Sequence, residues 1–147
     1  KDVSADYLNK LYESVTKQND EWLRAYLDLE HSVLNVMLLL RGSTQKDVIN
    51  DMYLVQQVMS EETYHALLNS DRGTIFSYIK NTFNVDLESD ATNREVEAKL
   101  DEYKLSKLKD LAVEGELAPT IIYYIKMKEY EIFRLRMIYH TKRNTYA

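Results

Sequence analysis

Residues 62–65 have the sequence Glu-Thr-Tyr-His, in which the Glu and the His have a spacing that could bind a metal ion. In helical di-iron carboxylate proteins a Glu-x-x-His motif supplies two ligands from one helix, and the site needs a second copy and two further Glu residues. The other histidines do not complete it, because Met137 stands three places before His140 and Asp28 three places before His31. The motif is more typical of an exposed helix start, where acids favour the helix dipole.

Four charged residues crowd the last part of the chain: Glu129, Glu131, Arg134 and Arg136. Paired carboxylates can do acid–base work, but the cations beside these two would keep them ionised. Glu131 and Arg134 are three residues apart, a spacing that lets side chains pair on a helix. Structural or partner ion pairing is therefore the better interpretation of this group.

Other catalytic classes lack the residues that they need. The 147 residues include three Gly, one Pro and no Cys. The isolated glycines cannot form a phosphate-binding loop or a nucleophile elbow. The absence of Cys excludes disulfide scaffolds, thiolate zinc sites and thiol catalysis, and no spacing suggests a Ser-His-Asp triad. We expect no catalytic residue, no cofactor and no metal.

Composition and hydrophobic spacing predict an all-α protein. The chain is 45% hydrophobic and 29% charged, as globular domains are, and it is long enough to bury a core. So few Gly and Pro residues favour long helices joined by short connections. The clearest segment has apolar residues at helical spacing from Trp22 to Leu40. We predict one all-helical domain over residues 1–147, a multi-helix bundle of about six or seven helices.

Capping and turn signals predict the helix boundaries. Gly42 is a natural terminator for the second helix, and Pro119 suits the first turn of the last. Residues 84–90 are polar and predict a loop. The predicted helices run from Ser4, from Asn19 or Asp20 to Gly42, from Thr44 to Val58, from Ser60 over Ala66 and Leu67, from Ile75 to Phe83, from Thr92 to about Val113, and from Pro119 towards Arg143.

Charge is unevenly placed within a net charge of -5. Residues 86–116 hold ten acids and five bases, whereas residues 126–143 hold six bases and two acids. This pattern fits solvated helix faces, or a basic terminal surface that meets an acidic partner. The negative net charge argues against nucleic acid, and the longest uncharged runs are about half of what a membrane helix needs. The 12 Tyr residues fit either helix interfaces or a simple compositional bias.

Two segments together resemble the C subunit of the V-type and A-type rotary ATPases, called subunit d in eukaryotes. Residues 26–42 resemble a family helix that has an Asn, a run of aliphatic residues and an Arg six places after the Asn, here Asn35 and Arg41. Residues 119–138 resemble the family's late motif, a Pro and a Tyr-containing helix followed by Lys-Glu-x-Glu-Ile and Leu-Arg-x-Ile. The order of the intervening helices also fits.

The chain departs from the family pattern in several places. Ser32 stands where the family usually has Asp, and the Gly pair expected after the third helix is missing around Val58 and Met59. The chain ends nine residues beyond Ile138, where the family commonly continues, and family members are longer and built from repeated helical modules. We therefore expect a divergent relative or, in preference, the C-terminal part of a longer modular subunit.

The resemblance implies a mechanical role without an active site. The family's subunit sits on the cytoplasmic side of the membrane rotor ring, receives the foot of the central shaft and transmits torque. It implies that this chain is peripheral to the membrane, with the rotor shaft subunits and the membrane rotor ring as partners. An unrelated helical protein–protein adaptor is the alternative, and a di-metal carboxylate enzyme is a third possibility. The family-motif or interface candidates are Asn35, Arg41, Glu129, Glu131, Arg134 and Arg136.

Overall fold

The computed structural model describes residues 3–42, 45–112 and 117–146. Within those ranges the chain has seven helices and no strand, which confirms the all-α prediction. The chain divides into two compact units, Lys1–Lys104 and Leu105–Ala147. The helices are α1 (Val3–Lys17), α2 (Glu21–Arg41), α3 (Lys46–Asn50), α4 (Glu61–Leu68), α5 (Arg72–Phe83), α6 (Asn93–Ala112) and α7 (Leu117–Tyr146).

Side-chain caps start three helices where the sequence predicts them. At α2, Asp20 Oδ1 accepts a hydrogen bond from the Leu23 backbone N–H at 3.0 Å. At α4, Ser60 Oγ accepts from a backbone N–H of the first turn at 3.1 Å. At α6, Thr92 and Glu95 cap each other's backbone N–H groups at 3.2 and 3.4 Å. Each cap satisfies a donor that has no partner inside its helix.

Other boundaries differ from the prediction or lie outside the described residues. Helix α1 begins at Val3, and the side chain of Ser4, the predicted cap, lies outside the described residues. Helix α5 begins three residues earlier than predicted, because Asp71 Oδ1 accepts a backbone N–H of its first turn at 2.8 Å. Pro119 lies in the first turn of α7, as predicted. Thr44 and Gly115 lie outside the described residues.

Apolar residues of α2, α4, α5 and α6 build the main core of the first unit. Each of these helices contributes a fully buried residue: Val36, Tyr64, Ile79 and Leu100. Burying one such side chain contributes about 1.5–3 kcal/mol. A smaller cluster of Tyr12, Val15 and Leu27 joins α1 to α2. Because this second cluster is small, α1 depends on polar contacts as well.

Gly42 ends α2 as predicted, but close packing is the reason for the glycine. Its φ of -80° and ψ of -2° are right-handed and open to any residue. A Cβ at this position would lie 3.1 Å from Leu68 Cδ1 and 3.3 Å from two side-chain carbons of Ile49. Glycine therefore lets α3 and α4 approach the end of α2.

Residues 51–59 are not helical, so the predicted third helix is wrong beyond its first turn. Helix α3 covers only Lys46–Asn50. Val48, Val55 and Val58, expected on one apolar helix face, are 55%, 39% and 48% exposed. The backbone of this segment binds side chains of α1 and α2 in place of making helical hydrogen bonds.

Two asparagines bind residues 53–57, called here the extended segment, from opposite sides. Asn35 of α2 is fully buried; its Nδ2 donates to the Leu54 carbonyl at 2.8 Å, and its Oδ1 accepts the Leu54 N–H at 2.9 Å. Asn9 of α1 donates to the Tyr53 carbonyl at 2.9 Å and accepts from the Val55 N–H at 2.7 Å. In an extended chain the backbone groups of successive residues point to opposite sides. The two amides therefore take the places that two neighbouring strands would have in a sheet.

Asp28 and His31 lie on the same face of α2 and extend this polar contact. His31 is 1% exposed, and its Nδ1 donates to the Val55 carbonyl at 2.7 Å. Asp28 Oδ1 accepts from the Gln57 N–H at 3.1 Å and from the Tyr12 hydroxyl at 2.6 Å. The Asp-x-x-His spacing, compared above with a metal-ligand motif, serves here to bind backbone.

Gln56 closes the end of the extended segment. Its side chain is buried, and its Oε1 accepts the backbone N–H groups of Val58 and Met59 at 2.7 and 2.6 Å. Its Nε2 donates to the Met59 carbonyl at 2.6 Å, and the Tyr53 hydroxyl donates to the same carbonyl at 2.6 Å. Side chains thus supply hydrogen bonds that a regular element would make within its own backbone.

Replacing Asn35 with Ala should destabilise the protein strongly. The change leaves the buried N–H and C=O groups of Leu54 without partners, at about 1–3 kcal/mol each. We expect the free energy of unfolding in urea to fall by roughly 2–5 kcal/mol. Asn81→Ala, at an exposed position of α5, should change it by no more than about 0.5 kcal/mol. Equal effects of the two substitutions would contradict this account of the segment.

Alanine at two glycines should act in opposite directions. Gly42→Ala forces the new Cβ against Leu68 and Ile49 and should cost about 1–3 kcal/mol of unfolding free energy. Gly73→Ala lies in α5 with only an ordinary 3.5 Å contact to Asp71, so it should stabilise by about 0.5–1 kcal/mol through helix propensity. Thermal denaturation followed by circular dichroism distinguishes the two, and a stabilising Gly42→Ala would show that the neighbours yield freely.

Candidate functional site

The structure places the two candidates of the first motif, Asn35 and Arg41, in different surroundings. Asn35 is fully buried, and both ends of its amide are bound to the backbone of Leu54. Arg41, at the end of α2, is exposed, and its Nη2 lies 3.3 Å from Glu97 Oε2 on α6. An exposed pair of this kind contributes at most about 1 kcal/mol. Asn35 therefore belongs to the framework, whereas Arg41 is on the surface.

A second group of charges joins α2 to α6, and sequence reasoning did not identify it. Lys104 Nζ lies 3.5 Å from Glu30 Oε2 and 3.6 Å from Asp101 Oδ1. The side chains of Lys104 and Glu30 are only 20% and 16% exposed. The spacing of Asp101 and Lys104 along α6 is a usual one for helix pairs. Glu30 is 74 residues from Lys104, so no local signal could have connected them.

Burial raises the pKa of the Asp101 carboxyl, although the nearby Lys104 ammonium opposes the shift. Glu97 and Glu30 add repulsion that also raises it. One ammonium faces two carboxylates here, so Lys104 can neutralise only part of their negative charge. The repulsion that remains between the carboxylates disfavours the ionised form of Asp101. The cluster is a charged junction between two helices.

The four charged candidates of the second motif lie on α7 and are exposed. Glu129 lies 3.4 Å from Lys126, and Glu131 lies 3.3 Å from Lys128. The expected partner of Glu131 was Arg134, but the Arg134 guanidinium is instead over the Tyr130 ring, at 5.9 Å from its centre. The structure thus gives both carboxylates a lysine three residues earlier on the same helix.

A cleft of about 800 Å³ lies in the first unit between α1, residues 50–55 and α4. Its volume is in the range of small-molecule sites. Two of its carboxylates lie beside basic side chains: Glu13 lies 3.0 Å from Lys17, and Glu61 lies 3.5 Å from His65 Nε2. The charged groups that line the cleft include these two local pairs.

The Glu-x-x-His motif of residues 62–65 is arranged differently from a metal site. His65 Nε2 lies next to Glu61, one helical turn back, and Glu61 is not part of the motif. Within residues 3–42, 45–112 and 117–146, no group of three or more His, Cys, Asp or Glu side chains could hold a metal ion. The side chain of His140 is outside the described residues.

Tyrosines serve both inside and outside the fold. The Tyr64 hydroxyl is buried and donates to the Ile49 carbonyl at 2.6 Å, and burial raises its pKa above the ordinary value. Burial also raises the pKa of Tyr12, and its hydrogen bond to Asp28 adds to the shift. In contrast, Tyr7 and Tyr124 are 67% and 58% exposed. Part of the tyrosine content is therefore used in packing, and part is available at the surface.

The Asp101→Asn substitution should reveal the cost of ionising this carboxyl. Because its folded pKa is above the unfolded value of about 3.9, wild type loses stability as the pH rises from the unfolded pKa through the folded pKa. The asparagine variant cannot ionise, so its stability relative to wild type should be higher at about pH 7 than at about pH 3. Urea unfolding at both pH values measures the difference. Glu88→Gln, at an exposed loop position, should show a much smaller change, and an equal change would contradict the assignment.

The comparisons with known proteins identify the family. No helix in the described part of the chain has the length and apolar character of a membrane span. A search of curated proteins and a search of solved structures found no match. A family model described as ATP synthase (C/AC39) subunit matches residues 3–147. Because this match covers almost all of the chain, the protein belongs to the C/AC39 subunit family of V- and A-type ATPases, as its two sequence motifs predicted.

Proposed function

We propose that this chain acts as a non-catalytic central-stalk connector of a V/A-type rotary ATPase, coupling the rotor shaft to the membrane rotor ring during ion transport. The observation that carries the proposal is the family match over residues 3–147. In this role the chain would lie on the cytoplasmic side, peripheral to the membrane, as part of the complex. It would also form part of a longer modular subunit.

The mechanical properties of the helices support this role. Helix α7 has 30 residues and is therefore about 45 Å long at 1.5 Å per residue. A continuous helix of this length can carry a displacement between partners at its two ends. In the first unit, one buried core and the amide contacts of Asn35 and Asn9 tie several helices together. Such a body is suited to transmitting force, since packed interiors have low compressibility.

The charges on α7 support a contact role for this helix. Glu129 and Glu131 are 61% and 52% exposed and paired with lysines, as expected of surface charges. Arg134 and Arg136 are exposed on the same helix. Exposed charges of both signs guide association and set the register of a partner. We therefore propose these four residues as interface residues of the complex.

The two rival interpretations receive less support. Family membership argues against an unrelated helical adaptor. For a di-metal carboxylate enzyme, the decisive measurement is the metal content of the purified protein by mass spectrometry. We expect no stoichiometric iron or manganese, and two metal ions per chain would restore that interpretation.

Affinity purification tests the proposed role directly. The tagged full-length protein, isolated from gently solubilised membranes of its own cells, should recover the shaft subunits and the rotor ring proteins in stoichiometric amounts. Mass spectrometry of the eluate identifies them. If neither the shaft nor the ring is recovered, even after chemical crosslinking, the connector role is rejected.

Charge reversal on α7 should weaken this recovery. In the R134E/R136E double variant, two cations become anions on an exposed helix, so folding should be preserved while recovery of the partners falls by about tenfold. Lys80→Glu, at an exposed position of α5, is the control and should recover the partners normally. Unchanged recovery with the double variant would remove Arg134 and Arg136 from the proposed interface.

A further inference from the structure

Helix α1 is attached to the rest of the first unit by few apolar contacts. Among its described side chains, Ala5, Tyr12 and Val15 are buried, whereas most residues of α2 between Leu27 and Leu40 are buried. Tyr12 and Val15 pack with Leu27 in the small cluster, which is separate from the main core of α2, α4, α5 and α6. A helix of 15 residues is only marginally stable alone in water. Helix α1 therefore depends on its docking to stay helical.

Two side chains of α1 add polar contacts to other elements. Asn9 Nδ2 donates to the Tyr53 carbonyl at 2.9 Å, and Asn9 Oδ1 accepts from the Val55 N–H at 2.7 Å. The Tyr12 hydroxyl donates to Asp28 Oδ1 at 2.6 Å. Because Asn9 and Tyr12 are three residues apart, they lie on the same face of the helix. We call these three hydrogen bonds the latch contacts.

The extended segment is also bound from the side of α2, and those contacts do not involve α1. Asn35 binds both backbone groups of Leu54, and His31 binds the Val55 carbonyl. The backbone groups that α1 satisfies are the Tyr53 carbonyl and the Val55 N–H. Val55 is 39% exposed, so its N–H lies near the surface and can bind water when α1 has moved away. Releasing α1 therefore leaves the segment attached to α2.

We propose that α1 opens and closes as one unit while the main core of the first unit stays folded, and that the latch contacts hold it closed. Elements with few buried apolar contacts are the ones that open at a lower free energy than the whole domain. Helix α1 also forms one wall of the cleft of about 800 Å³, so the cleft exists only in the closed state. Opening uncovers one side of the extended segment. This conformational device is independent of the ATPase role.

Hydrogen exchange of the purified chain, followed by mass spectrometry of its peptides at low urea concentrations, tests the proposal. The protection of an amide reports the free energy of the opening that exposes it. In wild type, peptides of α1 should be at least about tenfold less protected than peptides of α5, whose Ile79 is fully buried in the main core. Their protection should also depend less on urea, because opening α1 exposes less surface than global unfolding.

A core variant separates local opening from global unfolding. Ile79→Val removes one methylene group from the main core and should lower the protection of α5 peptides by about fivefold. It destabilises the closed and the open state equally, so the protection of α1 peptides should not change. An equal loss of protection in α1 and α5 would show that α1 unfolds only together with the core, and this result overturns the proposal.

Asn9→Ala tests the latch contacts. The change removes two of the three hydrogen bonds and should lower the protection of α1 peptides by about tenfold. Alanine has the higher helix propensity, so this loss cannot come from a weaker helix. Ser14→Ala, at an exposed position of the same helix, is the matched control and should keep or raise the protection. Unchanged protection in Asn9→Ala overturns the proposal, and so does a wild-type α1 without protection, since the helix would then not be closed.

Discussion

The first unit depends on the need to satisfy the hydrogen bonds of a buried extended backbone. Leu54 is 4% exposed beside α2, so its N–H and C=O groups must find hydrogen-bond partners within the protein. Asn35 supplies these bonds, and Asn9 binds the neighbouring backbone groups from the other side. Helix α3 can therefore stop at Asn50 and α1 can be held with little apolar burial. Asn35, the asparagine of the first family motif, therefore stabilises the first unit through its hydrogen bonds to the Leu54 backbone.

The features that could be predicted from the sequence are those set by interactions between residues close together along the chain. The caps at Ser60 and Thr92, which depend on residues within three positions, were predicted correctly, and Asp20 is one of the two residues predicted to start α2. The extended segment was mistaken for a helix because its valines have helical spacing, whereas its hydrogen-bond partners are 19 to 46 residues away. The four charged candidates lie on the last helix, as predicted, but Glu131 pairs with Lys128 and not with Arg134. Contacts between distant helices leave no trace in local spacing.

The charged residues of this chain serve different purposes according to their burial. The half-buried Lys104 holds two carboxylates at the junction of α2 and α6, where removing the lysine would leave two partly buried carboxylates without a cation. On α7 the ion pairs are local and exposed, and solvent screens them. They add little to stability, which leaves them available to determine which surfaces meet. This division suits a subunit whose family works within an assembly of several chains.

The opposed amides of Asn9 and Asn35 also restrict how this chain can change in length. In an extended segment, adding or removing one residue turns every following N–H and C=O to the other side. A single-residue insertion between residues 53 and 55 would therefore present the wrong groups to both asparagines, while most changes of the exposed Val55 side chain would not disturb them. Over evolutionary time position 55 should accept substitutions readily, whereas insertions or deletions between residues 53 and 55 should be hardly tolerated.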